Sequence, residues 1–174
     1  MLDAATLVVF PFLMILAAIS DLLTMTISNW ISLTLAVLFI ALAGSCGVPA
    51  SAILLNLTCG MLMLALTFVL FAKGWIGGGD AKLAAATAIW FGFDHVGDYV
   101  LHAGVIGGLL TLFILCLRQW PLPGILHAHQ WATRLHDPAT GIPYGIALAG
   151  AGLLLYPETA IWPGMLAVPR PPFA

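Results

Sequence analysis

The chain has 174 residues, of which 62% are hydrophobic and 7% charged, with a formal net charge of -2 and a mean hydropathy of +1.10. So few polar groups cannot solvate a globule, which excludes an ordinary soluble domain, and no basic cluster offers nucleic acid a footing. The expected surrounding is the lipid bilayer, because Leu22 to Ala72 carries neither a charge nor a histidine and is long enough for two spans of about 20 residues each.

The first apolar segment runs from about Ala4 to Ser20 and ends on Asp21. It carries Asp3 where a signal peptide would be basic, so it is expected to be a retained first helix. A polar connection, Thr24 to Asn29, leads to a second segment over about Trp30 to Ala43, closed by Gly44-Ser45-Cys46-Gly47-Val48-Pro49. That punctuation predicts a tight hairpin loop. The third segment covers about Ser51 to Ala72 and stops at Lys73 and Gly74.

Then comes Gly77-Gly78-Gly79-Asp80, three glycines handing directly to a carboxylate. The fourth segment, Asp80 to Phe93, makes roughly 21 Å of helix at 1.5 Å per residue. A hydrocarbon core of about 30 Å leaves it short, so Asp80 is expected to lie recessed in a protein-lined pocket, with the glycines as irregular backbone before it.

The fifth segment, about Tyr99 to Leu117, contains Gly104, Gly107 and Gly108, which suit close helix contacts, and Arg118 ends it. The long connection Gln119 to Gly141 is predicted to hold a short interfacial helix over Gly124 to Leu135, with Trp120 and Trp131 at headgroup level. The sixth segment, about Ile142 to Tyr156, opens with Pro143-Tyr144-Gly145. The proline-rich stretch after Glu158 is too broken to span again. Residues 1–174 are thus expected to form one domain, an all-α integral membrane bundle of six transmembrane helices with a short fourth helix starting at the glycine–aspartate motif.

Six spans put Lys73, Lys82, Arg118 and Arg134 on one side, and Asp3, Asp94, Asp98 and Glu158 on the other, with Arg170 the exception. The positive-inside rule then turns Asp21 and Asp80 toward the cytoplasm. Asp21 ends its helix and Asp80 begins its own, so antiparallel neighbours bring the two carboxylates together. Two such groups within a few Å share a proton, and one acts as base on a water while the other donates to a scissile carbonyl. Because a helix N-terminus favours an anion and a C-terminus disfavours one, Asp80 is expected to ionise first.

Blander readings apply to each residue. Asp21 borders a polar loop, as an ordinary interfacial acid does. Lys82 reads as an interface anchor, or as a group orienting a carboxylate or substrate carbonyl. Tyr144 suits an aromatic belt equally well. His127, His129 and His136 lie in an aqueous loop without strict ligand spacing, and Cys46, Cys59 and Cys116 are isolated, so no metal and no cofactor is expected. Asp21 and Asp80 also fit a proton relay in a coupled transporter, although no inverted repeat is visible. A non-catalytic assembly subunit would need only small-residue helix faces.

Taken together, Asp21 with Ile27 and Asn29 after it, Gly77-Gly78-Gly79-Asp80-Ala81-Lys82, and Pro143-Tyr144-Gly145 resemble the type IV prepilin peptidases, membrane aspartic proteases of the G-x-G-D class. The resemblance spans nearly the whole chain. It implies a multi-pass enzyme of the bacterial inner membrane that removes the short basic leader of prepilin or pseudopilin substrates at the cytoplasmic face, typically after a glycine. Asp21 and Asp80 match the family's catalytic aspartates, and Gly77, Gly79, Lys82, Asn29, Pro143, Tyr144 and Gly145 stand in the supporting motifs. The small size is similar to the enzymes of tight-adherence (Flp) pili. Larger members carry a four-cysteine zinc-binding domain and methylate the new N-terminus, whereas the loop after Asp21 here is short and free of cysteine. Ser28 replaces the family's usual proline, and Leu22 to Met25 lack its basic residues. Presenilin-like proteases pair G-x-G-D with Tyr-Asp and Pro-Ala-Leu, neither of which occurs here; an archaeal preflagellin peptidase is closer.

Overall fold

The computed structural model describes the backbone of residues 2–159 and the side chains of residues 7–159. The proline-rich tail, Asp3's side chain and Arg170 lie outside those described residues. Six α-helices follow one another: α1 (Leu2–Thr24), α2 (Asn29–Ser45), α3 (Ala50–Ala72), α4 (Gly78–Arg118), α5 (Gln130–His136) and α6 (Gly145–Leu155). Short 3-10 turns cover Gly124–Ala128 and Tyr156–Glu158. No strand occurs among the described residues. Leu7–Thr24, Ala50–Ala72 and Gly78–Arg118 are long and apolar enough to cross a membrane, while Asn29–Ser45 and Gly145–Glu158 are apolar but shorter.

The breaks between helices follow from local backbone chemistry. α1 stops because Met25 takes a left-handed φ of 54°, while Thr24 Oγ1 bonds back to Ser20 O at 2.7 Å and Ser20 Oγ to Thr26 O at 2.8 Å. The result is a turn of a few residues that sends Ile27 inward, 8% exposed. α3 ends in a Schellman arrangement, in which Gly74 at φ 73° lets its N–H reach Phe71 O at 2.8 Å and the Trp75 N–H reach Leu70 O at 3.0 Å. Only glycine adopts that φ without strain.

α4 is two helices in one. Gly92, at φ 60° and ψ -169°, breaks it, and a Cβ there would lie 2.5 Å from Asn56 Oδ1. The first arm, 78–91, corresponds to the predicted short fourth segment, displaced two residues toward the N-terminus. The second arm, 93–118, folds back beside it: Asp80 and Ala84 share a cleft with Tyr99, Ala103 and Gly104. A straight helix would hold Asp80 and Ala103 about 35 Å apart.

Six apolar helical segments among the described residues therefore alternate in direction, α1, α2, α3, the two arms of α4, and α6. The α1–α2 turn, the α3–α4 turn and the 119–144 connection all gather at one end, which we call the loop end. Lys73, Lys82, Arg118 and Arg134 lie there, whereas Asp94, Asp98 and a His95–Glu158 contact of 3.6 Å occupy the other end. That is the charge division expected from the sequence.

Far from the loop end, the core is aromatic. Phe10 stacks on Tyr156 at 4.5 Å and tilts onto Trp90 at 4.8 Å, Phe39 meets the edge of Trp90, and Trp90 Nε1 donates to Leu35 O at 3.1 Å. α3 crosses the first arm closely because Gly60 leaves room for Ile89. Thr67 adds a bond from α3 to Ala81 O at 3.3 Å.

The interfacial segment differs from expectation in detail. A 3-10 turn, Gly124–Ala128, precedes α5, and the two are separated at His129, whose φ of -106° and ψ of 115° are extended. Of the three glycines expected to serve helix contacts in the second arm, only Gly107 does so, against the Tyr144 ring; Gly104 and Gly108 face open space.

Candidate active site

Ile27 is where the loop end is organised. A Cβ on Gly79 would come within 3.1 Å of Ile27 Cβ and 3.2 Å of Ile27 N, and one on Gly145 within 2.7 Å of Ile27 Cδ1. The same side chain is thus wedged between the first turns of α4 and α6. Both approaches favour glycine, since a side chain at either position would crowd Ile27 and press on the α1–α2 turn.

The wedge puts each helix start against a carboxylate. Asp21, one turn before the end of α1 and 5% exposed, accepts the Gly145 N–H at 2.7 Å through Oδ2. Asp80, in the first turn of α4, reaches back to the Gly77 N–H, as an acid three residues after an N-cap does. Its Oδ1 is buried and has no hydrogen-bond partner. Asp80 directly follows Gly79 and Asp21 holds Gly145, and since both glycines pack on Ile27 the two acids belong to the same cluster at the loop end.

Two expectations change here. Gly78 and Gly79 are helical, with only Gly77 extended at φ -72° and ψ 147°, so the glycines are not a stretch of irregular backbone. They serve close approach: Gly79 to Ile27, and Gly78 to the Phe71 ring, from which a Cβ on Gly78 would lie 3.2 Å. The helix-end argument for which acid ionises first also fails. Asp21 belongs to the last turns of α1, yet its carboxylate meets the N-terminus of α6, so both acids enjoy the same kind of helix end.

The supporting motifs separate into two faces of the first arm. On one face, Lys82 Nζ donates to Asn29 Oδ1 at 2.8 Å in an exposed pair, away from the cleft that holds Asp80. This ties α2 to α4 and leaves the Asp80 carboxylate to others. On the opposite face, Asp80, Tyr144 and Tyr99 line a cleft of about 290 Å³. The Tyr144 ring packs on Gly107 of the second arm. Pro143 is buried and its carbonyl accepts the Ile146 N–H at 3.3 Å, starting α6.

Arg118 and Arg134 act beyond their topological role. Arg134 donates to Leu23 O at 2.9 Å and Thr24 O at 3.3 Å, satisfying carbonyls at the end of α1 that have no helical partner. Arg118 holds Leu135 O at 2.9 Å and Thr140 O at 3.0 Å. Together they strap the 119–144 connection, and with it Gly145, to the helix carrying Asp21. Their charge was legible in the sequence; the carbonyls they reach were not. Thr87 and Tyr99 also escaped notice. Thr87 Oγ1 donates to Met14 Sδ at 3.9 Å, and the buried Tyr99 Oη makes no hydrogen bond of ordinary geometry. His127, His129 and His136 do not gather with other ligand-type side chains among the described residues.

Comparison with known proteins gives a single finding. The family model described as the type IV leader peptidase family matches residues 8–116, a span that includes both aspartates and the glycine motif and stops short of Pro143-Tyr144-Gly145. No curated protein and no solved structure matches the chain. The match lends nothing to the transporter reading. With most of its length covered, including α1 to α3 and nearly all of α4, the chain belongs to the type IV leader peptidase family.

Proposed function

We propose that the protein is a membrane aspartic endopeptidase that removes the leader of prepilin-like substrates at the cytoplasmic face of the bacterial inner membrane. The observation that carries this reading is the convergence of Asp21 and Asp80 at the loop end around Ile27, each against the N-terminus of a different helix. One carboxylate takes a proton from a water, the other donates a hydrogen bond to the scissile carbonyl, and the amide is hydrolysed without a covalent intermediate. Asp80 Oδ1, without a partner in the protein, is available to a water or a peptide group. Gly145 holds Asp21 in place and Gly77 holds Asp80. The basic residues gathered at the loop end support a cytoplasmic orientation. Lys82 and Asn29 join α2 to α4 and stay outside the reaction.

The test is Asp21→Asn and Asp80→Asn made separately, co-expressed with a candidate prepilin, with the leader followed by mass. Each substitution keeps shape and removes a titrating group, so each is expected to lower cleavage by about 10³-fold or more at unchanged abundance. Leader removal at the normal rate by either variant would refute the paired-acid reaction.

A further inference from the structure

The cleft beside Asp80 has a shape and placement that the reaction at the carboxylates does not by itself explain. Its walls come from α3, both arms of α4 and the start of α6, reaching from Leu70, Asp80 and Tyr144 near the loop end to Met63 and Tyr99 deeper in. Apart from Asp80 and a few hydroxyls, the lining is apolar. Its rim includes Leu66 and Val100, which are 59% and 51% exposed, so it opens sideways through the surface that the bundle presents to lipid. At about 290 Å³ it lies at the lower limit of ordinary ligand sites, room for one or two large side chains and not for a helix about 10 Å across.

We propose that this cleft is the subsite for the one or two bulky apolar side chains that directly follow the cut bond, reached laterally between α3 and the second arm of α4. The proposal rests on the peptidase reading above. Polarity sets the direction: a basic leader stays at the loop end among water and headgroups, and the cleft extends from Asp80 the other way, toward the apolar depth. Gly104 forms part of the wall, and a Cβ there meets nothing within 4 Å. A larger residue at 104 is therefore expected to narrow the cleft, with no clash at its own Cβ.

The experiment uses the full chain in lipid vesicles and a reporter substrate with a short basic leader, a glycine before the cut and one apolar helix. Two reporters carry either leucine or alanine at the two positions after the cut, and kcat/KM is read by mass. Gly104→Leu is expected to cut the leucine reporter about 30-fold more slowly and the alanine reporter at close to the normal rate. Its thermal stability should hold or rise, since glycine is the poorer helix former. Gly108→Leu, on the same arm, outside the cleft and equally open, is expected to cut both reporters normally. Normal cleavage of the leucine reporter by Gly104→Leu would overturn the proposal and leave the cleft to lipid chains. Equal loss on both reporters would also overturn it, by pointing to a disturbed Asp80. Asp80→Asn, run alongside, distinguishes these outcomes from failure of the aspartate reaction, which would show as retained cleavage by that variant.

Discussion

The two ends of the bundle are held by opposite means. Away from the loops, Phe10, Phe39, Trp90 and Tyr156 fill space with rings at centroid separations of 4.5 to 5.9 Å. At the loop end, Gly79 and Gly145 hold the helices together by having no side chain, so that backbone meets Ile27 and backbone N–H meets carboxylate. Volume makes one end stable. Its absence at the other allows two acids to be brought near each other and fixed by main-chain donors.

Substitutions at the two ends should therefore fail in different ways. After the two aspartates themselves, the largest loss of activity is expected from Gly145→Ala, whose new methyl would lie 2.8 Å from Asp21 Oδ2 and 3.0 Å from Asp21 Cβ. A misplacement of the carboxylate by about 1 Å costs about 100-fold in rate, and reporter cleavage by detergent-purified protein would measure it. At the other end, Trp90→Ala should lower stability by about 3 kcal/mol through the cavity it leaves, seen as a drop in Tm, while each folded molecule still cleaves. If Trp90→Ala instead abolished cleavage at full stability, the division between the ends would be wrong. Least affected should be Lys82→Ala, which loses one exposed bond to Asn29 and is expected to slow cleavage by about fivefold at most.

Much of this arrangement was legible in the sequence because apolar length and charge are strong signals. The unbroken run from Leu22 to Ala72, the side on which each basic residue falls, and the short fourth segment all follow from composition and counting. The two arms of α4 were anticipated as separate segments, although the bend itself rests on one residue, Gly92, whose φ of 60° cannot be read from a letter. The site was legible as residues and not as contacts. Asp21 and Asp80 stood out as acids in apolar surroundings, but that Asp21 would meet the start of α6 depends on a pairing across more than 120 positions, from Asp21 to Gly145. The same applies to Arg134, visible as a charge and invisible as the group that closes α1. Glycines mislead most: three in a row suggested a loop, whereas two of them are helical and serve packing.

Cross-linking tests the meeting of the acids without relying on activity. In a chain with Cys46, Cys59 and Cys116 replaced by alanine, Asp21→Cys combined with Asp80→Cys should join rapidly under a short bifunctional thiol reagent. Asn29→Cys with Lys82→Cys, positions whose native side chains meet at 2.8 Å, serves as the positive control, and Asp21→Cys with Asp98→Cys, at opposite ends, should stay unjoined. Failure of the 21–80 pair to join while the 29–82 pair does would contradict the convergence on which the proposed reaction depends.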